Sequence, residues 1–287
     1  MSRTRHSPTL RRRRLSTELR KLRESSGLTQ TTVTKRLEWS QGKLARMERG
    51  EWLRPDPHDI RLLLDLYEVA DERQREQLIT WAREGRQRGW WHPYKDMLSE
   101  AYSTYIGLES EAAAVLTFQA LMIPGLLQTH DYARSIHSEW RTEATAEEIE
   151  RRVEVRMARQ EVLTQSDALR LWVVLDEAAL HRQGGGTAVM REQMKRLLEA
   201  AELPKVTIQV IPYSAGPHPG ATGPFSILKF PDLADPEAVY VENLAGELFI
   251  ENPDEVQPFQ IAFQRLVAVA LSPQDTIAMI ARLIRTS

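Results

Sequence analysis

Cysteine is absent from all 287 residues. Its absence removes disulfides, thiolate nucleophiles and cysteine-based zinc sites together, and it suits a reducing compartment. No uncharged apolar run approaches the roughly 20 residues that a membrane helix needs. The arginine-rich N-terminus lacks the apolar core of a secretory signal, so a soluble, cytoplasmic protein is expected. The fingerprints of phosphate-binding loops are missing as well. Gly184-Gly185-Gly186 reads as lying between a strand and a helix, but no Lys-Ser or Lys-Thr follows it and no G-x-G-x-x-G occurs, so it reads as a flexible turn. No internal repeat is visible.

What is present is ordinary in bulk and uneven in distribution. With 42% apolar and 27% charged residues, the chain is long enough for two domains. Its formal net charge is -2, yet residues 1–50 hold 14 Arg or Lys against 4 Asp or Glu, a local excess of +10, and the remainder carries -12. A basic head draws the protein toward polyanions, and an acidic body keeps DNA from lying along its whole length.

Residues 1–14 contain Arg3, Arg5 and the run Arg11 to Arg14 without apolar periodicity, and they read as a flexible Arg-rich arm, either a solvated tail or one that follows phosphates or a minor groove. Leu15, Leu19 and Leu22 then recur at helical spacing, with Ser16 as a candidate cap and Gly27 as a left-handed stop. Thr29 caps a short second helix with Val33 and Leu37 inward. Ser40 caps a third, with Leu44 and Met47 inward, and Gly50 ends it. Asp56-Pro57-His58-Asp59 is a strong start for a fourth helix, and Asp71 opens a charged fifth that runs out near Gly85 to Gly89.

Three capped helices at this spacing, from Gly27-Leu28-Thr29-Gln30 through Gln41-Gly42-Lys43-Leu44-Ala45-Arg46, resemble the lambda-repressor-like, xenobiotic-response-element type of helix-turn-helix over residues 15 to 70. The resemblance implies that Thr29 and Gln30 contact phosphate and that Gln41, Lys43 and Arg46 enter the major groove. The residue types suit those roles. Gln bonds adenine through two atoms and Arg does the same for guanine, while Ser40 and Arg49 are placed for phosphates. Arg23 and Glu48 occupy the places of a scaffold ion pair in that family. Two departures stand out. Glu38 replaces a turn residue that is commonly Gly, and Gly42 offers no side chain where a base is often read, so specificity there is expected either to be weak or to come from backbone approach and DNA shape.

From Gly89 the texture changes to helices mixed with short strands. Helices are expected around Tyr102 to Leu108, from Ala146 to Thr164, from Ala188 to Ala201 and from Val256 onward. Strands are expected at Val115 to Met122, Leu169 to Leu175, Val206 to Ile211, Phe225 to Phe230, Val239 to Val241 and Leu248 to Ile250. The expected architecture is therefore multidomain: an all-α helix-turn-helix domain at 15–85 and an α+β regulatory or partner-binding domain at 86–287. Trp90-Trp91, Tyr105-Ile106-Gly107-Leu108-Glu109, Pro124-Gly125-Leu126-Leu127-Gln128-Thr129, Val174-Leu175-Asp176-Glu177 and Ile208-Gln209-Val210-Ile211-Pro212 resemble the C-terminal domain of antitoxin-like and developmental regulators of actinomycetes. That resemblance implies a small protein partner encoded nearby.

Candidate chemistry in the second domain is thin. His130 and His137 are too far apart along a helix to share a metal and read as surface residues. Asp176-Glu177 follows a buried strand but also suits a helix cap. Trp90, Trp91 and Tyr94 are candidates for a ligand pocket or a core seam. No catalytic residue, metal or cofactor is assigned. The sequence reads as a DNA-binding transcriptional regulator, homodimeric on double-stranded DNA, that does not enter a membrane. An antitoxin-like role centred on a small cognate protein and a ligand-sensing second domain are the alternatives.

Overall fold

Ser7 and Pro8 open the first helix. The Ser7 hydroxyl accepts from Thr9 N at 3.2 Å, and the ring of Pro8 presets the first helical turn. In the computed structural model, which describes residues 7–52, 54–165, 167–232 and 235–286, the chain forms two compact units. One holds residues 1–93 with 106–111, and the other holds residues 94–105 with 112–287.

The first unit contains α1 (Pro8–Ser25), α2 (Gln30–Arg36), α3 (Gln41–Glu48), α4 (Pro57–Leu66) and α5 (Glu72–Gly85). The arm expected over residues 1–14 is helical from Pro8 onward, because its arginines find partners on α5. Arg11 pairs with Glu84 at 2.8 Å, Arg12 donates to the Gly85 carbonyl at 3.2 Å, and Arg14 lies over the Trp81 ring. Arg3 and Arg5 fall outside the described residues. Ser16 is not a cap either; it is buried within α1, where its hydroxyl accepts from Trp52 Nε1 at 3.0 Å. Leu15, Leu19, Val33, Leu44, Met47 and Leu64 form the centre of the core.

The first four helices stop in one way. The residue two past each helix turns left-handed, and the next amide reaches back to a carbonyl in the last turn: Leu28 to Arg23, Trp39 to Thr34, Glu51 to Arg46 and Val69 to Leu64. Gly27 and Gly50 supply the left-handed residue without steric cost, at φ +69° and +75°. Glu38 and Glu68 supply it at φ +54° despite carrying a Cβ. The sequence anomaly at Glu38 is thus a strained helix stop.

The second unit is built on a six-stranded sheet. After α6 (Glu100–Glu109), which is divided between the two units after Tyr105, come β1 (Ala114–Gln119), α7 (His130–Trp140), α8 (Ala146–Arg159) and β2 (Arg170–Asp176). Next are α9 (Ala178–His181), α10 (Thr187–Ala201), β3 (Val206–Ile211), β4 (Phe225–Lys229), β5 (Ala238–Asn243), β6 (Gly246–Ile250), α11 (Pro253–Val269) and α12 (Pro273–Thr286). The strand order is β3-β2-β1-β4-β5-β6. Helical crossovers make β1, β2 and β3 parallel, and shorter connections make β4, β5 and β6 antiparallel. Phe118, Val174, Ile227 and Val239 pack against Phe263 and Leu266 of α11. Among the described residues no single helix is long and apolar enough to cross a membrane.

Three local expectations change. The first strand ends at Gln119, short of Met122, before the turn at Gly125–Leu127. Gly184 to Gly186 do not connect a strand to a helix, since α9 intervenes; Gly185 and Gly186 start α10 in left-handed backbone. His137 is buried rather than a surface residue, on the inner side of α7, whereas His130 is exposed and bonds Glu150 at 2.6 Å.

Candidate nucleic-acid interface

Helix α3 has two sides with different tasks. Leu44, Met47 and Glu48 are buried, and Gln41, Arg46 and Arg49 are exposed. The buried side is held by a network around one carboxylate. Arg23 Nε donates to Glu48 Oε1 at 2.6 Å and Nη2 donates to Oε2 at 3.0 Å, while Nη1 donates to the Leu28 carbonyl at 3.0 Å. Hydrogen bonding to Glu48 raises the Arg23 pKa above its already high ordinary value. Gln30 Nε2 completes the set with a 2.7 Å bond to Glu48 Oε2. The Glu48 side chain is only 3% exposed, so removing one partner would strand a buried charge, at a cost of about 3 to 5 kcal/mol.

Gln30 is the first residue of α2, at the N-terminus of the helix preceding α3. Its amide nitrogen carries two hydrogens, so the one not used by Glu48 remains available to a phosphate oxygen. Thr29 caps α2, accepting from Thr32 N at 3.1 Å. Ser40 holds the corresponding position before α3 but makes no cap hydrogen bond, and its residue is exposed.

The residues expected to read bases separate into two groups. Gln41 and Arg46 are exposed, and Arg46 has no ion pair among the described residues. Arg46 folds back over Gly42, where a Cβ would stand 2.7 Å from its Nη1. Lys43 is occupied elsewhere: its Nζ donates to Asp59 at 2.8 Å and lies 3.9 Å from the centre of the Trp39 ring, tying α3 to α4. Arg49 pairs with Glu51 at 2.6 and 2.8 Å. Both partners of that pair are at least half exposed, so it is a weak surface pair that a phosphate can replace.

Residue spacing alone did not single out Ala45. It lies one turn after Gln41 and one turn before Arg49, so together with Gly42 it sets two small side chains among the polar ones. Both are half-buried, and the Arg46 guanidinium lies over Gly42. The signal was in the sequence, as small residues three apart on a short capped helix.

A family model described as a helix-turn-helix domain matches residues 14–78, and a second, described as domain of unknown function (DUF5753), matches residues 102–282. No curated protein and no solved structure matches the chain. Since the second match covers more than half of the sequence, the chain belongs to the DUF5753 family, carrying that domain behind a helix-turn-helix domain that points to DNA.

Proposed function

We propose that this protein is a sequence-specific DNA-binding transcriptional regulator that docks α3 in the major groove. The observation that carries the reading is the division of α3: one side clamped through Glu48, the other carrying exposed Gln41 and Arg46 with half-buried Gly42 and Ala45 between them. Gln41 and Arg46 read base edges; Gln30, Thr29, Ser40 and Arg49 set register on phosphates. Lys43 contributes by fixing α3 against Asp59 and enters the groove only if that bond opens. An eight-residue recognition helix covers few base pairs, so a homodimer on a near-palindromic site is the working form.

The finer reading follows the sequence resemblance: a cytoplasmic regulator of the xenobiotic-response-element type, from an actinomycete, with an antitoxin-like second domain that dimerises or receives a signal or a small protein partner. Copurification from the native host would reveal such a partner.

The test is selection from random duplexes by the full chain, followed by titration of the selected and scrambled sequences. Arg46→Ala is expected to cost about 1 to 3 kcal/mol on the selected site and to relax preference at one base pair. Arg49→Ala is expected to weaken both duplexes alike and to reduce the salt slope by about 1. Equal loss on both duplexes for Arg46→Ala would remove it from base reading, and failure to enrich any sequence would overturn the proposal.

A further inference from the structure

The second unit contains a cavity of about 730 Å³, within the size range of small-molecule sites. Its walls come from β1, β4 and β5, from α7 and α8, and from the loop after β1. One side is aromatic: the Tyr105 and Tyr240 rings lie 4.4 Å apart, and Tyr102 stacks on Tyr105. The rim is apolar and wet. Leu121 and Trp140 are about half exposed and Leu244 fully so, which leaves large hydrophobic groups facing water around one opening.

The charges in this lining are Arg156, Arg159 and Glu242, a net of +1. Arg159 is 6% exposed, with Nη1 donating to the Tyr102 hydroxyl at 2.5 Å and its guanidinium facing the Tyr102 and Tyr105 rings. Arg156 differs. It is oriented by a neutral group, donating from Nη1 to Gln128 Oε1 at 2.8 Å, and Gln128 is itself fixed by a bond to the Ile123 carbonyl. Among the described residues its Nη2 makes no hydrogen bond, its Nε is buried without a partner, and no carboxylate lies within ion-pair distance of the guanidinium. A guanidinium oriented by an amide, with Nη2 uncommitted on the wall of a mainly apolar cavity, suits a planar two-oxygen anion.

We propose that this cavity binds a small organic carboxylate with an apolar or aromatic body, its carboxylate on Arg156 and its body against Tyr240, Phe225 and the Trp140–Leu121 rim. This deepens the signal-receiving reading of the second unit. The test contains no DNA, so its failure would leave the DNA-reading proposal standing.

The full chain is titrated calorimetrically with 3-phenylpropanoate, indole-3-acetate and decanoate, and with the matching amides. At least one acid is expected to bind one per chain with a Kd below about 1 mM, and its amide about tenfold more weakly or worse. Arg156→Gln is expected to lose about tenfold for the acid. Arg191→Gln, an exposed change on α10 outside the cavity, should leave affinity unchanged. Trp140→Ala alters only an exposed rim residue and should weaken binding about threefold or more, so it decides the matter if Arg156→Gln does not fold. No binding by any acid, equal binding of acid and amide, or full affinity in a folded Arg156→Gln or Trp140→Ala chain would overturn the assignment.

Discussion

His137 is a buried polar residue whose ring nitrogens have no hydrogen-bond partner among the described residues; its side chain is 8% exposed. Burial first, and then the nearby Arg156, Arg152 and Arg141, push its pKa down to about 3. In the unfolded chain the imidazole titrates near 6.5. Between those two values the unfolded state takes up a proton that the folded state refuses. The contribution is therefore intact above about pH 6.5 and falls by up to about 1.4 kcal/mol per pH unit as the pH drops toward 3. Urea unfolding of the wild-type chain at pH 7.5 and pH 5 should show a loss of about 2 kcal/mol from this residue. His137→Leu should flatten that dependence while removing two unpartnered nitrogens from the interior. A Leu variant with the same pH dependence as the wild type would sink the assignment. Sequence spacing placed His137 on a helix correctly, but not on its inner side, because burial depends on elements distant in the chain.

At the scale of elements, the helix stops show where a local rule was broken and what that cost. Glu38 sits at φ +54°, a region an L side chain enters with strain, while Gly27 and Gly50 do the same task freely. Glu38→Gly is expected to stabilise the first unit by about 1 kcal/mol, measured as a rise in its thermal or urea midpoint. An unchanged or lower midpoint would show that the Glu side chain compensates through contacts of its own. Much of this unit was legible because its signals are local: Thr29, Asp56 and Asp71 cap as their types predict, and Leu44 and Met47 face inward at helical spacing. The start of α1 was not legible, because the arginine run becomes helical only through Glu84 and Gly85, some seventy residues away. In the second unit, β3 falls at Val206–Ile211, the residues expected for it. The cavity was invisible for the same reason as α1: Arg156, Tyr240 and Leu121 meet only through the crossover topology, and Trp90, Trp91 and Tyr94, the aromatic cluster that stood out in the sequence, do not line it.

For the molecule as a whole, the charge division is real but smaller than the sequence sum suggests. Residues 1–50 carry a formal +10, yet Arg11 is paired with Glu84 and Lys43 with Asp59, both acids beyond residue 50. Lys35 and Arg36 are exposed and without ion pairs among the described residues, and the exposed Arg49–Glu51 pair is one that a phosphate can replace. About three phosphates per protomer are then neutralised, so the logarithm of affinity should fall with the logarithm of salt at a slope of about -3 per protomer bound. Fluorescence anisotropy across a salt series checks this. A slope twice as steep would mean that the internal pairs open on DNA, or that Arg3 and Arg5 take part.

The split character of α3 has a consequence for change over time. The groups that hold it, Leu44, Met47 and Glu48, share no position with the outward set of Gln41, Gly42, Ala45 and Arg46. Substitution in the outward set therefore leaves the clamp intact. A library randomised at those four positions should return folded variants with new operator preferences, making the head re-addressable while whatever the second unit senses stays the same.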